Sequence, residues 1–175
     1  MSSTDPQRIV IIGAECTGKT TLTRAIAGQL AEPWSHEYVR EYVDTVKRAL
    51  RADDLDAIAR GQLKCEDTAA ASAYLYVLHD TNLLSSILYA EHYFDTHIPW
   101  VDEVFARRRY HHYFLCEPDF PWLADPGQRE SPEERARLQG CFESILHRYD
   151  IPFVRLSGSL EERSVRVMQS LQPKS

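Results

Sequence analysis

Gly13-Ala14-Glu15-Cys16-Thr17-Gly18-Lys19-Thr20 carries the spacing G-x-x-x-x-G-K-T, and the chemistry of that spacing is the holding of phosphate. Glycines at its two ends admit backbone conformations that a side chain forbids, so successive N–H groups from Gly13 to Thr21 can turn onto phosphate oxygens. Lys19 then reaches the outer phosphates, and Thr20 offers its hydroxyl to Mg²⁺. A second chemical position is Asp80, which closes the apolar run Tyr74-Leu75-Tyr76-Val77-Leu78-His79. A carboxylate at the tip of a strand beside a phosphate loop holds Mg²⁺ or its water, so Asp80 is the acidic candidate for metal and proton work. Asn82 follows closely and is expected near the metal or the acceptor. Glu37, Tyr38 and Arg40 form a third group. Arg129 and Arg135 form a fourth, in a stretch whose composition suits a lid that neutralises charge on a transferring phosphoryl group.

These residues need a scaffold that brings them to one edge. Ile9-Val10-Ile11-Ile12 reads as a buried strand feeding the loop, and Leu22, Ile26 and Leu30 recur at helical spacing after it. Strand, phosphate loop and helix in that order predict a three-layer α/β/α fold with a parallel sheet, whose ligand crevice lies beyond the carboxyl ends of the strands. Trp34 to Val39 reads as a short strand delivering Glu37, Tyr38 and Arg40 to that edge. A helix is expected from Asp53, with Asp53 or Asp54 as N-cap and Gln62 as an ordinary surface residue. Thr81 is the expected cap of the helix through Leu83, Leu84, Ile87 and Leu88. Tyr110 to Cys116 is the next core strand. After it, residues 118–138 are the expected lid: a proline-rich excursion through Trp122, Asp125 and Arg129, then Ser131-Pro132-Glu133-Glu134 as a helix start. Phe153 to Leu156 reads as the last strand, Ser157-Gly158-Ser159 as a turn and Leu160 to Leu171 as the closing helix.

The 175 residues suit one domain, read as residues 1–175 without an internal boundary. A formal net charge of −6, with basic clustering confined to Arg107-Arg108-Arg109, argues against a nucleic-acid surface; the three arginines read as the polar end of a helix. Cys16, Cys65, Cys116 and Cys141 lie far apart, which suggests neither a zinc knuckle nor a disulfide framework, and a reducing compartment follows. The start of the chain shows no basic-then-apolar signal, and no run approaches membrane-spanning length, so a cytoplasmic protein is expected. His92, His97, His111 and His112 invite a metal reading that their placement opposes, since adjacent strand residues face opposite ways and the other two flank a Pro-Trp turn.

Taken together, the phosphate loop, Glu37-Tyr38-x-Arg40-Glu41, Gly61-Gln62, Asp80-Thr81 and Trp122 followed by Asp125 and Arg129 resemble the nicotinamide riboside kinase family, the kinase domain of NadR-type NAD-biosynthesis proteins. The resemblance covers nearly the whole chain. It implies transfer of phosphate from ATP, with Mg²⁺, to the ribose 5′-hydroxyl of nicotinamide riboside. It further implies a nucleoside site near Glu37, Tyr38, Arg40, Asn82, Trp122 and Asp125, with the chain being the kinase alone. Asn82 stands where the family has a second aspartate, Cys16 replaces a serine, and His36 sits where an aromatic ring can occur. Two alternatives stay open at this point: a kinase of another nucleoside or small hydroxyl compound, and a regulatory ATP-binding protein that transfers nothing.

Overall fold

In a computed structural model the described residues are 5–121 and 131–172. Five parallel strands form the sheet: β1 (Gln7–Ile12), β2 (Trp34–Ser35), β3 (Tyr76–Asp80), β4 (His112–Cys116) and β5 (Val154–Leu156), in the order β2-β3-β1-β4-β5. The most apolar strand is the central one. Ile9 to Ile12 are wholly buried, which stabilises the fold by roughly 1.5–3 kcal/mol for each large side chain. Alternation sends them to opposite faces. Ile9 and Ile11 pack with Leu22, Ile26, Leu78 and Val167, while Val10 and Ile12 pack with Leu83, Ile87, Leu138 and Phe142. Helices α1 (Lys19–Leu30) and α7 (Leu160–Leu171) therefore cover one side, and α3 (Leu55–Ala71), α4 (Leu83–Phe94) and α6 (Pro132–Arg148) contribute to the other. The three-layer α/β/α arrangement is the expected one.

Register fixes the site. β1 pairs Ile11 with Asp80 and Ile12 with Leu115, so the loop after β1, the end of β3 and the end of β4 share one edge. Two boundaries differ from the expectation for a common reason. Only Trp34 and Ser35 pair with β3, and the chain then turns into helix α2 (Tyr38–Val46), so Tyr38 and Arg40 are helical rather than strand-end residues. Likewise β3 starts at Tyr76, because the N–H groups of Tyr74 and Leu75 donate to the Glu32 carboxylate rather than to a strand. Aromatic and β-branched types favour strands only where a neighbouring strand exists to pair with them.

Caps also moved. Asn82, not Thr81, caps α4, its side-chain oxygen accepting from Leu84 N–H, and Thr81 adopts a left-handed backbone at φ 62°. Asp54 stands at the start of α3, yet its carboxylate accepts from Arg48, Tyr42 and the Arg51 N–H instead of capping. That ion pair holds the Asp54 pKa well below the usual carboxylate range. Ser131 caps α6 by accepting from Glu134 N–H at 3.1 Å, with Pro132 in the first turn, and α7 spans the residues expected of it. Pro99-Trp100 is no turn: it opens helix α5 (Pro99–Arg107), which ends on the first of the three arginines.

Candidate active site at the carboxyl edge of the sheet

The phosphate loop is built against β4 and α6. At Gly13 the backbone has φ 142°, and a Cβ there would lie 2.8 Å from the Cys116 carbonyl oxygen, so no side chain fits. The Ala14 N–H donates to Gln139 Oε1 at 3.0 Å, and Gln139 Nε2 donates to the Cys116 oxygen at 3.0 Å. One buried glutamine thereby ties the loop to the neighbouring strand. The Ala14 carbonyl accepts from Thr17 Oγ1 and from Lys19 Nζ, each at 2.8 Å. Lys19 is thus folded back over its own loop, buried, at the first residue of α1. Unlike α6 and α7, α1 has no side-chain cap and no acidic residue in its first turn. Its opening N–H groups, among them those of Thr20 and Thr21, are arranged as a phosphate-binding helix start would have them.

Facing the loop is a carboxylate held against its preference. Asp80 is 1% exposed; its Oδ2 accepts from Thr20 Oγ1 at 2.5 Å, and its Oδ1 is buried without a hydrogen-bond partner among the described residues. Burial raises the Asp80 pKa and Glu37 adds to the rise, while Lys19 opposes it. Buried polar atoms are nearly always partnered, so the orphaned Oδ1 beside the Thr20 hydroxyl suits a divalent cation, and Thr20 with Asp80 fits Mg²⁺ by donor chemistry. Glu37, 7% exposed, precedes α2 and accepts from Arg40 Nε at 3.0 Å. Burial pulls the Arg40 pKa down, and Glu37, with Asp80 and Glu15 beyond it, more than reverses that. These charges therefore act on one another across a single cleft.

The structure places the other candidates as follows. The Tyr38 ring lies over Gly61, where a Cβ would come within 1.9 Å of it, and the Tyr38 N–H donates to Gln62 Oε1 at 3.0 Å. Gln62 is buried, not a surface residue; the glycine lets α2 and α3 approach, and the glutamine fixes where Tyr38 begins its helix. Asn82 is likewise fully buried, its Nδ2 donating to Tyr113 Oη at 2.8 Å while its oxygen caps α4. Arg135 Nη1 donates to the Phe120 carbonyl at 3.1 Å. Trp122, Asp125 and Arg129, and with them the middle of the expected lid, lie outside the described residues. Cys16 takes a left-handed backbone at φ 53° within the loop.

Three of the four histidines have protein partners. His92 Nε2 lies 2.7 Å from Glu134 Oε1, His111 Nδ1 accepts from the Arg8 N–H, and His112 pairs with Gln7. Among the described residues no group of three or more His, Cys, Asp or Glu is arranged to hold a metal, and no helix is long and apolar enough to cross a membrane. Two further residues touch the site unanticipated by the sequence reading, Gln139 and Arg163. Each is a polar residue on the buried stripe of an amphipathic helix, beside Leu138 and Phe142 in α6 and beside Ser164 and Val167 in α7. That misplacement was the available signal.

Comparison with known proteins places this geometry. A family profile described as an AAA domain matches residues 8–163. The trifunctional NAD biosynthesis/regulator protein NadR of Escherichia coli (strain K12) is 30% identical over 156 residues, 85% of this chain, and the Salmonella typhimurium protein of the same name is 29% identical. This chain spans only 37% of the length of those relatives. Among solved structures, a NadR protein in complex with NR has a TM-score of 0.80 at 22% identity, covering 95% of this chain and 50% of the other. Deoxyadenosine kinase from M. mycoides with bound dATP has a TM-score of 0.67 at 16% identity, over 94% and 98% of the two chains. The fold is that of the P-loop kinases, and the chain belongs to the AAA-domain family of P-loop proteins, resembling within it the NadR proteins.

Proposed function

We propose that this chain transfers the γ-phosphoryl group of ATP to the ribose 5′-hydroxyl of nicotinamide riboside, giving nicotinamide mononucleotide. The observation that carries the proposal is Asp80: a buried, partly orphaned carboxylate facing an uncapped phosphate loop and sharing its cleft with Glu37. The hydroxyl oxygen forms a bond to phosphorus as the bond to the bridging oxygen of ADP breaks, and the hydroxyl proton passes to the Asp80–Glu37 carboxylate pair. Thr20 and Asp80 would hold Mg²⁺, which supplies neutralisation of the charge on the outer phosphates. Lys19 leaves the Ala14 carbonyl for those phosphates, and Arg40 orients Glu37. Arg129 and Arg135 are assigned to charge neutralisation from the lid. Trp122, Asp125 and Tyr38 are assigned to recognition of the nucleoside.

The acceptor assignment draws on relatives: a NadR protein of the same fold is known in complex with NR. The deciding experiment is ADP release by purified protein across nicotinamide riboside, uridine, adenosine, deoxyadenosine and thymidine, with and without Mg²⁺. Nicotinamide riboside is expected to lead the panel, with activity lost on chelation and in Lys19→Ala. Turnover of a neutral nucleoside with nicotinamide riboside inert would overturn the acceptor, and ATP binding without transfer to any hydroxyl would overturn the kinase.

A further inference from the structure

Arg163, on α7, is 1% exposed and bonded through all three guanidinium nitrogens. Nε donates to the Gly158 carbonyl at 3.0 Å, Nη1 to the Thr17 carbonyl at 2.7 Å, and Nη2 to the Glu117 carbonyl at 3.0 Å and to Asp119 Oδ1. The ring of Phe120 lies 4.5 Å from its Cζ, and the same ring comes 3.2 Å from where a Cβ on Gly18 would sit. Asp119 does two things at once: it neutralises Arg163 and, through Oδ2, accepts from the Gly158 N–H at 2.6 Å. The end of β4, the turn before α7 and the phosphate loop thus meet on one side chain.

An apolar side chain of similar size could fill the same space, but it would leave the Gly158, Thr17 and Glu117 carbonyls and Asp119 without their donor. What a guanidinium adds is direction. A trans peptide is planar, with its C=O and N–H pointing opposite ways. Holding the Thr17 carbonyl toward α7 therefore sends the Gly18 N–H to the other side of the loop, immediately before Lys19 and the start of α1.

We propose that Arg163 is a positioning residue for nucleotide binding: by fixing the Thr17–Gly18 peptide it aims the Gly18 N–H at the phosphates, and Asp119 holds Arg163 to that task. The guanidinium itself does not touch the nucleotide. This inference rests on the loop as the ATP site and not on the identity of the acceptor.

Calorimetric titration of Mg-ATP into wild-type, Arg163→Met, Arg163→Lys and Asp119→Asn proteins tests it, with melting of the unliganded proteins measured alongside. Arg163→Met is expected to weaken ATP by ~10-fold or more, the scale of losing one charge-assisted hydrogen bond, with Arg163→Lys recovering part of the affinity. A folded Arg163→Met protein with wild-type ATP affinity, even if it melts earlier, would overturn the proposal and leave Arg163 a packing residue. Should both Arg163 variants fail to fold, Asp119→Asn decides, because that carboxylate is one-third exposed. A ~3-fold loss of ATP affinity there supports the proposal, and unchanged affinity overturns it. Since the readout is ATP binding, an inert nicotinamide riboside would refute the acceptor while these ratios still decide Arg163.

Discussion

Replacing Asp80 by Asn separates catalysis from stability, because the structure predicts opposite signs for the two. The Asp80 carboxylate is buried, one oxygen has no partner among the described residues, and its pKa is raised by burial. A raised carboxylate pKa means that the folded state binds a proton more readily than the unfolded chain. Ionised Asp80 therefore subtracts stability as pH rises above the unfolded value through the folded one, and at neutral pH it weakens the fold. An amide of the same shape removes that charge and keeps an oxygen able to accept from Thr20. Asp80→Asn should accordingly melt at or above the wild-type temperature. Its kcat should fall at least ~100-fold, equivalent to about 2.7 kcal/mol of transition-state stabilisation, the scale of losing a positioned acid–base or charge-holding group. Differential scanning fluorimetry and coupled ADP release on the same preparations give both numbers. A variant that melts several degrees lower yet turns over at the wild-type rate would refute the reasoning and make Asp80 a structural residue at the start of α4.

Gly61→Ala should destabilise by about 1–3 kcal/mol, since its methyl group would overlap the Tyr38 ring, and should raise KM for the nucleoside more than for ATP; wild-type melting would show that Tyr38 swings aside freely. Glu66 is fully buried on α3, accepting from Leu83 N–H and Tyr110 Oη, and burial pushes its pKa up to about 7. Its proton is retained on folding between about pH 4.5 and 7, so stability is lost as pH rises through that window, by on the order of 3 kcal/mol. Glu66→Gln should flatten urea midpoints measured from pH 5 to 8; an equally steep decline in the variant would assign the slope to another group.

The parts of the site written locally in the sequence were legible. The spacing of Gly13 to Thr20 marks the loop by its glycines, the apolar run of β1 declares a central strand, and the caps of α6 and α7 are complete within four residues. What was missed is decided across the chain. Gln62 looks like surface until α2 docks and its Tyr38 N–H needs an acceptor, and the partner of the Asn82 amide, Tyr113, lies on a distant strand. Trp34 to Val39 reads as strand from its residue types and flanks, but the pairing with β3 ends after two residues and Tyr38 opens a helix. A helix starting at the same edge keeps Glu37 and Arg40 paired there all the same.

The central position of β1 sets an order on how this protein becomes competent as it is synthesised. β1 pairs only with residues 76–80 and 112–115, and the loop it feeds is completed by Gln139 and Arg163, 125 and 146 positions from their partners. That loop therefore waits, once made, until Arg163 has been added, on the order of ten seconds at ordinary translation rates. Such long-range parallel pairing is also slow to form. The apolar stretch Ile9 to Ile12 is then the segment most in need of shelter, and nucleotide cannot rescue it early, because the nucleotide's own cradle is among the last features to close.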